Sequence, residues 1–199
     1  MAYQSCTTKI AASIQQNCTN PIVGGYTGRG VLIDLSDAPT FTADSQNPRI
    51  ISSITLPAGT PGPKFIAIDN VWNEAYTGSQ TALTAENGRS SFEKTFTFRI
   101  PMRGAATAKS IVEPLQNSAL GFAVVLEKND RVGDGSFEIV GYLKGLKTNE
   151  DGITRNEYEN GADWVITMST DEVYAEVVLF DTDYATTLGK FETMLANTY

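Results

Sequence analysis

The sequence contains no histidine among its 199 residues. Without imidazole the chain has no Ser-His-Asp triad, no Cys-His dyad and no histidine ligand for zinc. It also lacks the side chain that most often senses pH near neutrality. The absence therefore excludes the commonest hydrolytic enzymes and the histidine-bearing metal enzymes.

Cysteine is scarce as well, with Cys6 and Cys18 both in a polar N-terminal stretch. Two thiols are too few for a cysteine zinc cluster, and they lie too far apart for a CxxC redox motif. We interpret them as ordinary thiols. The alternative is one disulfide formed in an oxidising environment, since the intervening segment is flexible enough to close.

Long apolar runs and a basic leader are also missing. The N-terminus, Met1–Cys6, lacks a basic region followed by an apolar one, and no window approaches the ~18 apolar residues of a membrane span. We therefore expect that the chain does not insert into a membrane and that it is made in the cytosol.

Positive charge is in the minority, since 15 Lys and Arg stand against 23 Asp and Glu and give a net charge of −8. A net negative charge repels phosphate backbones and anionic lipid headgroups at long range. This balance argues against tight, non-specific binding to nucleic acid.

What the chain does have is apolar material for a core, with 41% hydrophobic and only 19% charged residues. A length of 199 residues suits one β-rich domain. Residues 1–28 are polar, contain Asn20-Pro21 and end in a glycine-rich stretch, which predicts an extended arm. We therefore expect an arm over 1–28 and a single β-rich domain over 29–199.

The clearest periodicity lies in Phe92–Ile100, where apolar and polar residues alternate and predict a central strand with one buried face. Lys94 interrupts the apolar face. A turn at 130–135 predicts a hairpin. The polar segment 73–89 is interpreted as a long loop or loose hairpin, and the polar segment 147–163 as a solvated loop. Further short apolar runs predict strands at 31–35, 50–56, 64–72, 121–126, 137–143, 164–168 and 173–180.

Two segments have helical spacing. Apolar residues recur on one face over 105–119, although Pro114 must end or kink that helix. Asp183 can cap a final helix, whose shared face comprises Tyr184, Leu188, Phe191 and Leu195. Eight or nine strands with two short helices predict a mainly β fold, a sandwich or barrel with one or two short flanking α-helices.

Candidate motifs have simpler structural explanations. Gly24, Gly25, Gly28 and Gly30 are followed by a strand and not by a Gly-Lys-Ser/Thr motif and a helix, so they do not form a phosphate loop. The run Asn129–Gly135 lacks the alternating acids of a calcium loop and reads as a hairpin turn.

Asn149–Gly152 with Glu157 and Glu159 could gather around a hard cation, but so polar a segment is usually a solvated loop. Trp72 and Trp164 lie in apolar runs and are expected to pack in the core. We predict that the chain has no catalytic residue, no cofactor-binding residue and no metal ligand. We therefore expect that it is not an enzyme.

The overall layout resembles the major tail (tail tube) proteins of tailed bacteriophages: a small acidic chain, a loose N-terminal arm, a β-rich body and a mid-chain helix. Cys6, the run from Cys18 to Gly25 and the run from Gly161 to Thr170 are also similar to virion proteins of phages from gut bacteria. The resemblance implies a virion protein, made in the host cytoplasm, whose own copies form stacked hexameric rings and which also contacts other tail proteins. DNA would pass transiently through an acidic lumen during ejection.

Other classes remain open at the level of sequence. A head-decoration or head-tail connector protein would share this layout. A carbohydrate-binding or adhesion module would need exposed loop aromatics, for which Tyr26, Tyr76 and Tyr158 are the candidates. A carboxylate hydrolase would need two acids converging in a deep pocket. Size in solution separates ring formers from these last two classes.

Overall fold

The structure is a computed structural model that describes residues 24–59, 62–69, 76–84, 89–102, 104–131, 133–155 and 163–199. For 76–84 and 89–90 it describes the backbone alone. Strands dominate these ranges, so the prediction of a mainly β fold is confirmed.

Eleven strands occur within the described residues, and all but one of their pairings are antiparallel. Seven form one sheet in the order β2-β3-β11-β8-β7-β1-β4, and four form a second sheet in the order β5-β6-β10-β9. The strands are β1 Tyr26–Asp34, β2 Thr40–Ala43, β3 Ile50–Thr55, β4 Ile66–Ile68, β5 Tyr76–Thr84, β6 Arg89–Ile100, β7 Phe122–Lys128, β8 Phe137–Val140, β9 Lys147–Arg155, β10 Trp164–Glu172 and β11 Val178–Leu179.

The seven-stranded sheet is the middle of three layers. One face packs on the four-stranded sheet, with Leu32 and Val124 against Phe96 and Met168. The opposite face packs on a C-terminal helix, Tyr184–Ala196, through residues that include Val125. Because both faces are covered, β7 is apolar over its first five residues, Phe122–Leu126, as a doubly buried strand requires. The architecture is a β-sandwich with a helix on its flank.

The predicted central strand Phe92–Ile100 lies within β6, which pairs with β5 on one side and β10 on the other. Phe96, Phe98 and Ile100 are buried between the sheets, and the alternate residues face outward. Lys94 shares the buried face and is itself fully buried. The prediction of a central strand with one buried face is therefore confirmed.

The C-terminal helix also begins and packs as predicted. Asp183 Oδ1 accepts a hydrogen bond from the backbone N–H of Thr186 at 2.7 Å, which satisfies a donor of the first turn. Phe191 and Met194 are buried against the seven-stranded sheet, where the Phe191 ring lies 5.1 Å from that of Phe137.

The mid-chain helix over 105–117 contains a change of register. An α-helical turn, Ala105–Thr107, leads into a π-helical turn, Ala108–Val112, and then into the α-helical turn Glu113–Asn117. Pro114 cannot donate a backbone hydrogen bond, and its ring crowds the preceding turn, so the wider π turn before it accommodates the proline. Pro114 therefore shifts the helix and does not end it.

Two polar segments contain strands that their composition concealed. The predicted loop or loose hairpin at 73–89 includes β5, and the predicted solvated loop at 147–163 includes β9. Both are edge strands, which need backbone hydrogen bonds to one neighbour and few apolar side chains. The solvated-loop interpretation of 147–155 was wrong, whereas 156–162 lie outside the described residues.

Strand boundaries differ elsewhere too. The predicted strand at 173–180 is reduced to the two residues of β11, and the short β2 was not predicted. β1 begins at Tyr26, so the last three residues of the predicted arm belong to a strand, while residues 1–23 lie outside the described part. Among the described residues, no helix is long and apolar enough to cross a membrane.

Candidate functional site

The glycines near the start of β1 shape the strand. Gly25 and Gly28 have positive φ angles of 91° and 86°, and the pairing of β1 with β7 is irregular between Tyr26 and Gly30. The Gly25 carbonyl accepts a hydrogen bond from the backbone N–H of Asn129 at 2.9 Å. A strand with a bulge occupies the place where a phosphate loop would have required a helix.

The run Asn129–Gly135 connects the antiparallel strands β7 and β8, which confirms the predicted hairpin. Ser136 Oγ donates to the Gly133 carbonyl at 3.1 Å and closes the turn. Within the described ranges, no group of three or more Asp, Glu, Cys or His side chains is placed to hold a metal ion. Glu157 and Glu159 lie outside those ranges.

The aromatic candidates for sugar stacking do not form a common surface. Tyr26 is buried, and its hydroxyl donates to Glu138 Oε2 at 3.3 Å, so the prediction of an exposed loop tyrosine is wrong there. Tyr76 begins β5, and Tyr158 and Trp72 lie outside the described residues. Trp164 packs against the core between the sheets, as predicted.

The outer face of the four-stranded sheet, turned away from the core, carries a ladder of hydroxyl groups. Thr97 lies opposite Thr167, and their Oγ1 atoms are 3.2 Å apart. Thr95 lies opposite Ser169, whose Oγ donates to Asn149 Oδ1 of β9. Neighbouring strands are therefore joined by side-chain contacts as well as by their backbones.

Among the strand residues that face outward and lie in pairs across neighbouring strands, here called the register positions, acidic and basic residues balance in number. Glu93 and Asp171 lie directly opposite each other on β6 and β10, while Arg99 and Lys147 are aligned with outward-facing residues of β10. The excess negative charge of the chain thus lies outside these positions. The resulting surface is polar and rich in hydroxyl groups.

Both edges of the four-stranded sheet are long. β5 and β9 span nine residues each, and in the described part of the chain β5 pairs only with β6 and β9 only with β10. An edge strand presents unpaired N–H and C=O groups that can pair with another chain.

The edge at β9 also carries a bulge. Ile166 lies opposite Ile153 and Met168 opposite Thr148, so Asn149–Gly152 project between these pairs. A Cβ atom on Gly152 would come within 2.3 Å of the Thr167 carbonyl oxygen, which explains the glycine. The acidic run considered as a cation site is therefore a bulge on an edge strand.

The start of β1 is fixed on the helix side by Glu127, whose side chain is 1% exposed. Glu127 Oε2 accepts hydrogen bonds from Arg29 Nη2 at 2.7 Å and from Thr27 Oγ1 at 2.9 Å. Arg29 Nη1 also donates to Glu192 of the C-terminal helix. Its hydrogen bond to Glu192, opposed by partial burial and supported by Glu127, raises the pKa of Arg29.

A second buried carboxylate fixes the same end on the other face. Glu138 accepts from Tyr26 and pairs with Lys128 Nζ at 2.8 Å, and Lys128 Nζ also pairs with Glu176 at 2.7 Å. Burial, and then the charge of Glu138, raise the pKa of Tyr26. The first residues of β1 are thus held by charged contacts on both sides of the sheet.

A fully buried ion pair lies on the inner face of the four-stranded sheet. Lys94 Nζ and Glu172 Oε2 are 2.8 Å apart, and both side chains are completely inaccessible to solvent. Glu172 Oε1 also accepts a hydrogen bond from the backbone N–H of Leu143 at 3.1 Å. This pair joins β6, β10 and the segment after β8.

A cavity of about 780 Å³, here called the end cavity, lies where β1 ends. Its apolar walls come from both sheets and from the mid-chain helix, and include Leu32, Phe98, Leu115 and Phe122. Its polar residues include Asp34, Asp37, Lys64, Asp69 and Arg99. No sequence motif revealed it, because its lining comes from separate segments brought together by folding.

The charged residues of the end cavity differ in their surroundings. Partial burial, and then the charge of Asp34, raise the pKa of Asp37. Lys64 Nζ donates to the Thr198 carbonyl at 3.2 Å and lies 5.9 Å from the centre of the Tyr199 ring.

Comparison with protein-family models, with curated protein sequences and with solved structures found no match for this chain.

Proposed function

We propose that this chain is a structural protein that assembles, through its four-stranded sheet, into stacked hexameric rings forming the tail tube of a bacteriophage. The observation that carries the proposal is the pair of nine-residue edge strands, β5 and β9, on opposite edges of one sheet. The sequence resemblance to tail tube proteins supplies the particular assembly.

The order of the strands suits a closed ring. All three pairings within the sheet are antiparallel, so β5 and β9 run in opposite directions. Rotation about an axis along the strands leaves their directions unchanged, so β9 of one copy meets β5 of the next in antiparallel orientation. Such a head-to-tail contact gives a ring when the rotation closes. Pairing also removes both exposed edges of the sheet.

The layering supports one face of the four-stranded sheet as the wall of the proposed tube. The seven-stranded sheet covers the inner face of the four-stranded sheet and is itself covered by the C-terminal helix. The hydroxyl-rich outer face is left as the wall of the lumen. It carries no cationic excess at its register positions, and the chain as a whole is acidic, so the wall would not hold the phosphate backbone of DNA during ejection.

Two proline variants in β9, Thr154→Pro and Arg155→Pro, test the edge contact. Successive residues of an antiparallel edge strand direct their N–H groups to opposite sides, so one substitution removes an outward donor and the other a donor to β10. We expect one variant to keep the thermal unfolding temperature of the unmodified protein while losing rings. The other should unfold at a lower temperature.

Thermal unfolding followed by circular dichroism reports the fold, and light scattering with negative-stain microscopy reports assembly. The more destabilised proline variant is the control for the general effect of proline. If the variant with an intact fold still forms rings like the unmodified protein, edge pairing through β9 is ruled out. An unmodified protein that stays monomeric at all concentrations would refute the proposed function itself.

A further inference from the structure

We propose that Lys94 and Glu172 become joined by an amide (isopeptide) bond that cross-links the two central strands of the four-stranded sheet. The bond links Lys94 Nζ to Glu172 Cδ and releases one molecule of water. It forms within a single folded chain, so it goes beyond the proposed rings and does not depend on them.

The two reacting groups are already in contact. Lys94 Nζ lies 2.8 Å from Glu172 Oε2, and Cδ is bonded directly to that oxygen. The nitrogen is therefore within one covalent bond length of the near-attack separation of about 3–3.5 Å. Lys94 belongs to β6 and Glu172 to β10, and the pairing of these two strands fixes their separation. Well-oriented groups in one molecule react as if each were present at about 10⁵–10⁸ M.

Burial favours the reactive protonation states of the pair. Both side chains are completely inaccessible to solvent. Charges are costly to hold away from water, so burial brings the ion pair closer in energy to the neutral amine and neutral carboxylic acid that one proton transfer produces. The neutral amine has the lone pair that attack requires. Exclusion of water also protects the finished amide from hydrolysis.

A hydrogen-bond donor is placed where negative charge develops in the reaction. The backbone N–H of Leu143 donates to Glu172 Oε1 at 3.1 Å, and Oε1 is the oxygen that remains in the amide. Attack of Nζ on Cδ turns Oε1 into an oxyanion, which this N–H stabilises. A second proton then moves from Nζ to Oε2. The bond between Cδ and Oε2 breaks with its electron pair on the oxygen, and Oε2 leaves as water. Two hydrogens of the ammonium group thus leave in the water, and the third stays on the amide nitrogen.

A third polar side chain lies beside the pair. Thr170 is directly opposite Lys94 and two residues before Glu172, so all three side chains lie on the inner face of the sheet. Its Oγ1 is buried, and in the described part of the chain it has no hydrogen-bond partner. A buried hydroxyl group without a partner is costly. Transfer of the second proton from Nζ to Oε2 through this hydroxyl gives it a role in the reaction.

The cross-link closes a long loop of the chain. Lys94 and Glu172 are 78 residues apart, and β7, β8 and β9 lie between them. A covalent link across such a loop stabilises the fold by constraining the unfolded chain. Since the two groups meet only after β6 and β10 have paired, the newly folded protein contains the ion pair and the amide forms later.

Mass spectrometry of the unmodified protein, sampled at intervals after folding and denatured before measurement, tests the proposal. We expect the intact mass to fall by the mass of one water molecule. Trypsin should then fail to cleave after Lys94, so that peptide 90–99 is recovered joined to peptide 156–190. A cyclic imide at Asp134-Gly135 or Asp151-Gly152 would also lose one water molecule but would leave these peptides separate. The linked peptides therefore decide the test.

Two variants are the matched controls. Lys94→Arg keeps a positive charge opposite Glu172 but has no primary amine, so we expect no linked peptides. Thr170→Val keeps the shape of the side chain and removes its hydroxyl group, and we expect linkage at least about tenfold slower. The cross-linked protein should also unfold roughly 10 °C or more above the freshly folded protein.

The unmodified protein decides the proposal even if a variant fails to fold. Separate peptides 90–94 and 156–190, recovered from protein that has been kept folded for several weeks, would overturn it. Loss of water between the same two positions in Lys94→Arg would overturn it as well. Linkage that is equally fast in Thr170→Val would contradict the role given to Thr170. Because the bond is measured within one chain, a protein that forms no rings can still carry it, and a protein without the bond can still form rings.

Discussion

Individual charged side chains fix the ends of this sandwich at positions that an apolar core cannot define alone. Glu127 and Glu172 are completely buried, yet each makes close contacts with a cation and with another donor. Removing charges from water is costly, so such pairs add little net stability but penalise any arrangement that separates them. Their contribution is to the register of the strands that carry them.

The ion pair between Lys94 and Glu172 gives a direct test of that argument. Lys94→Met leaves a buried carboxylate without its cation and should cost on the order of 3–5 kcal/mol of unfolding free energy. The double variant Lys94→Met with Glu172→Gln removes both charges, so it should recover at least half of that loss. Denaturant unfolding of both variants measures the difference. A single variant within about 1 kcal/mol of the unmodified protein would show that the pair is not needed for the fold.

At the level of single elements, the cap of the C-terminal helix should depend on pH. Hydrogen bonds from Thr186, foremost that of its backbone N–H, lower the pKa of Asp183. A carboxyl group whose folded pKa lies below its unfolded value of about 3.9 stabilises the fold above that pH and loses the effect as the pH falls through the folded value.

Asp183→Asn keeps an oxygen acceptor for Thr186 but does not titrate, and Asp183→Ala removes the acceptor. We expect the unmodified protein to unfold at a higher temperature than D183N near pH 7, with a difference that narrows below about pH 4. D183A should unfold at a lower temperature than D183N throughout. If the difference in unfolding temperature between the unmodified protein and D183N stays constant from pH 7 to below about pH 4, the lowered pKa does not belong to the cap.

The elements that the sequence predicted best are those in which the spacing of apolar side chains indicates which face is buried. The alternation in Phe92–Ile100 and the spacing from Tyr184 to Leu195 both predicted the observed element and its buried face. The edge strands β5 and β9 have no such apolar pattern, because they are held by backbone hydrogen bonds to the neighbouring strands β6 and β10.

The features that matter for the proposed site were harder to predict for the same reason. Lys94 was visible only as an interruption, since its partner Glu172 lies 78 residues further along the chain. The sequence analysis placed Tyr26 in an arm, whereas Tyr26 is buried and its hydroxyl donates to Glu138, 112 residues further along the chain. The end cavity and the open edges of the four-stranded sheet exist only once separate segments are assembled. Sequence reasoning predicted a mainly β sandwich or barrel with flanking helices, but not the contacts that join distant segments.

At the scale of the whole molecule, the apolar core lies on the two faces of the middle layer, apart from the surfaces to which the proposed function assigns assembly. Two apolar clusters lie on the two faces of the seven-stranded sheet, one against the four-stranded sheet and the other against the C-terminal helix. The four-stranded sheet closes one cluster with its inner face, and the proposed function assigns its outer face and two edges to contacts with other copies. A surface can therefore serve assembly while the core remains complete in each chain.

Removal of residues 1–20 tests this division. β1 begins at Tyr26, and its first residues are fixed by Glu138 and Glu127 within the same chain, so the truncated protein keeps these contacts of the strand. We expect an unfolding temperature within a few degrees of that of the full-length chain, because no described core residue is removed. Rings should still form through β5 and β9, but they should stack poorly, giving single rings where the full-length protein gives tubes. Calorimetry and negative-stain microscopy measure the two effects separately. Tubes of normal length from the truncated protein would show that residues 1–20 do not join rings, and a large fall in unfolding temperature would show that these residues belong to the fold.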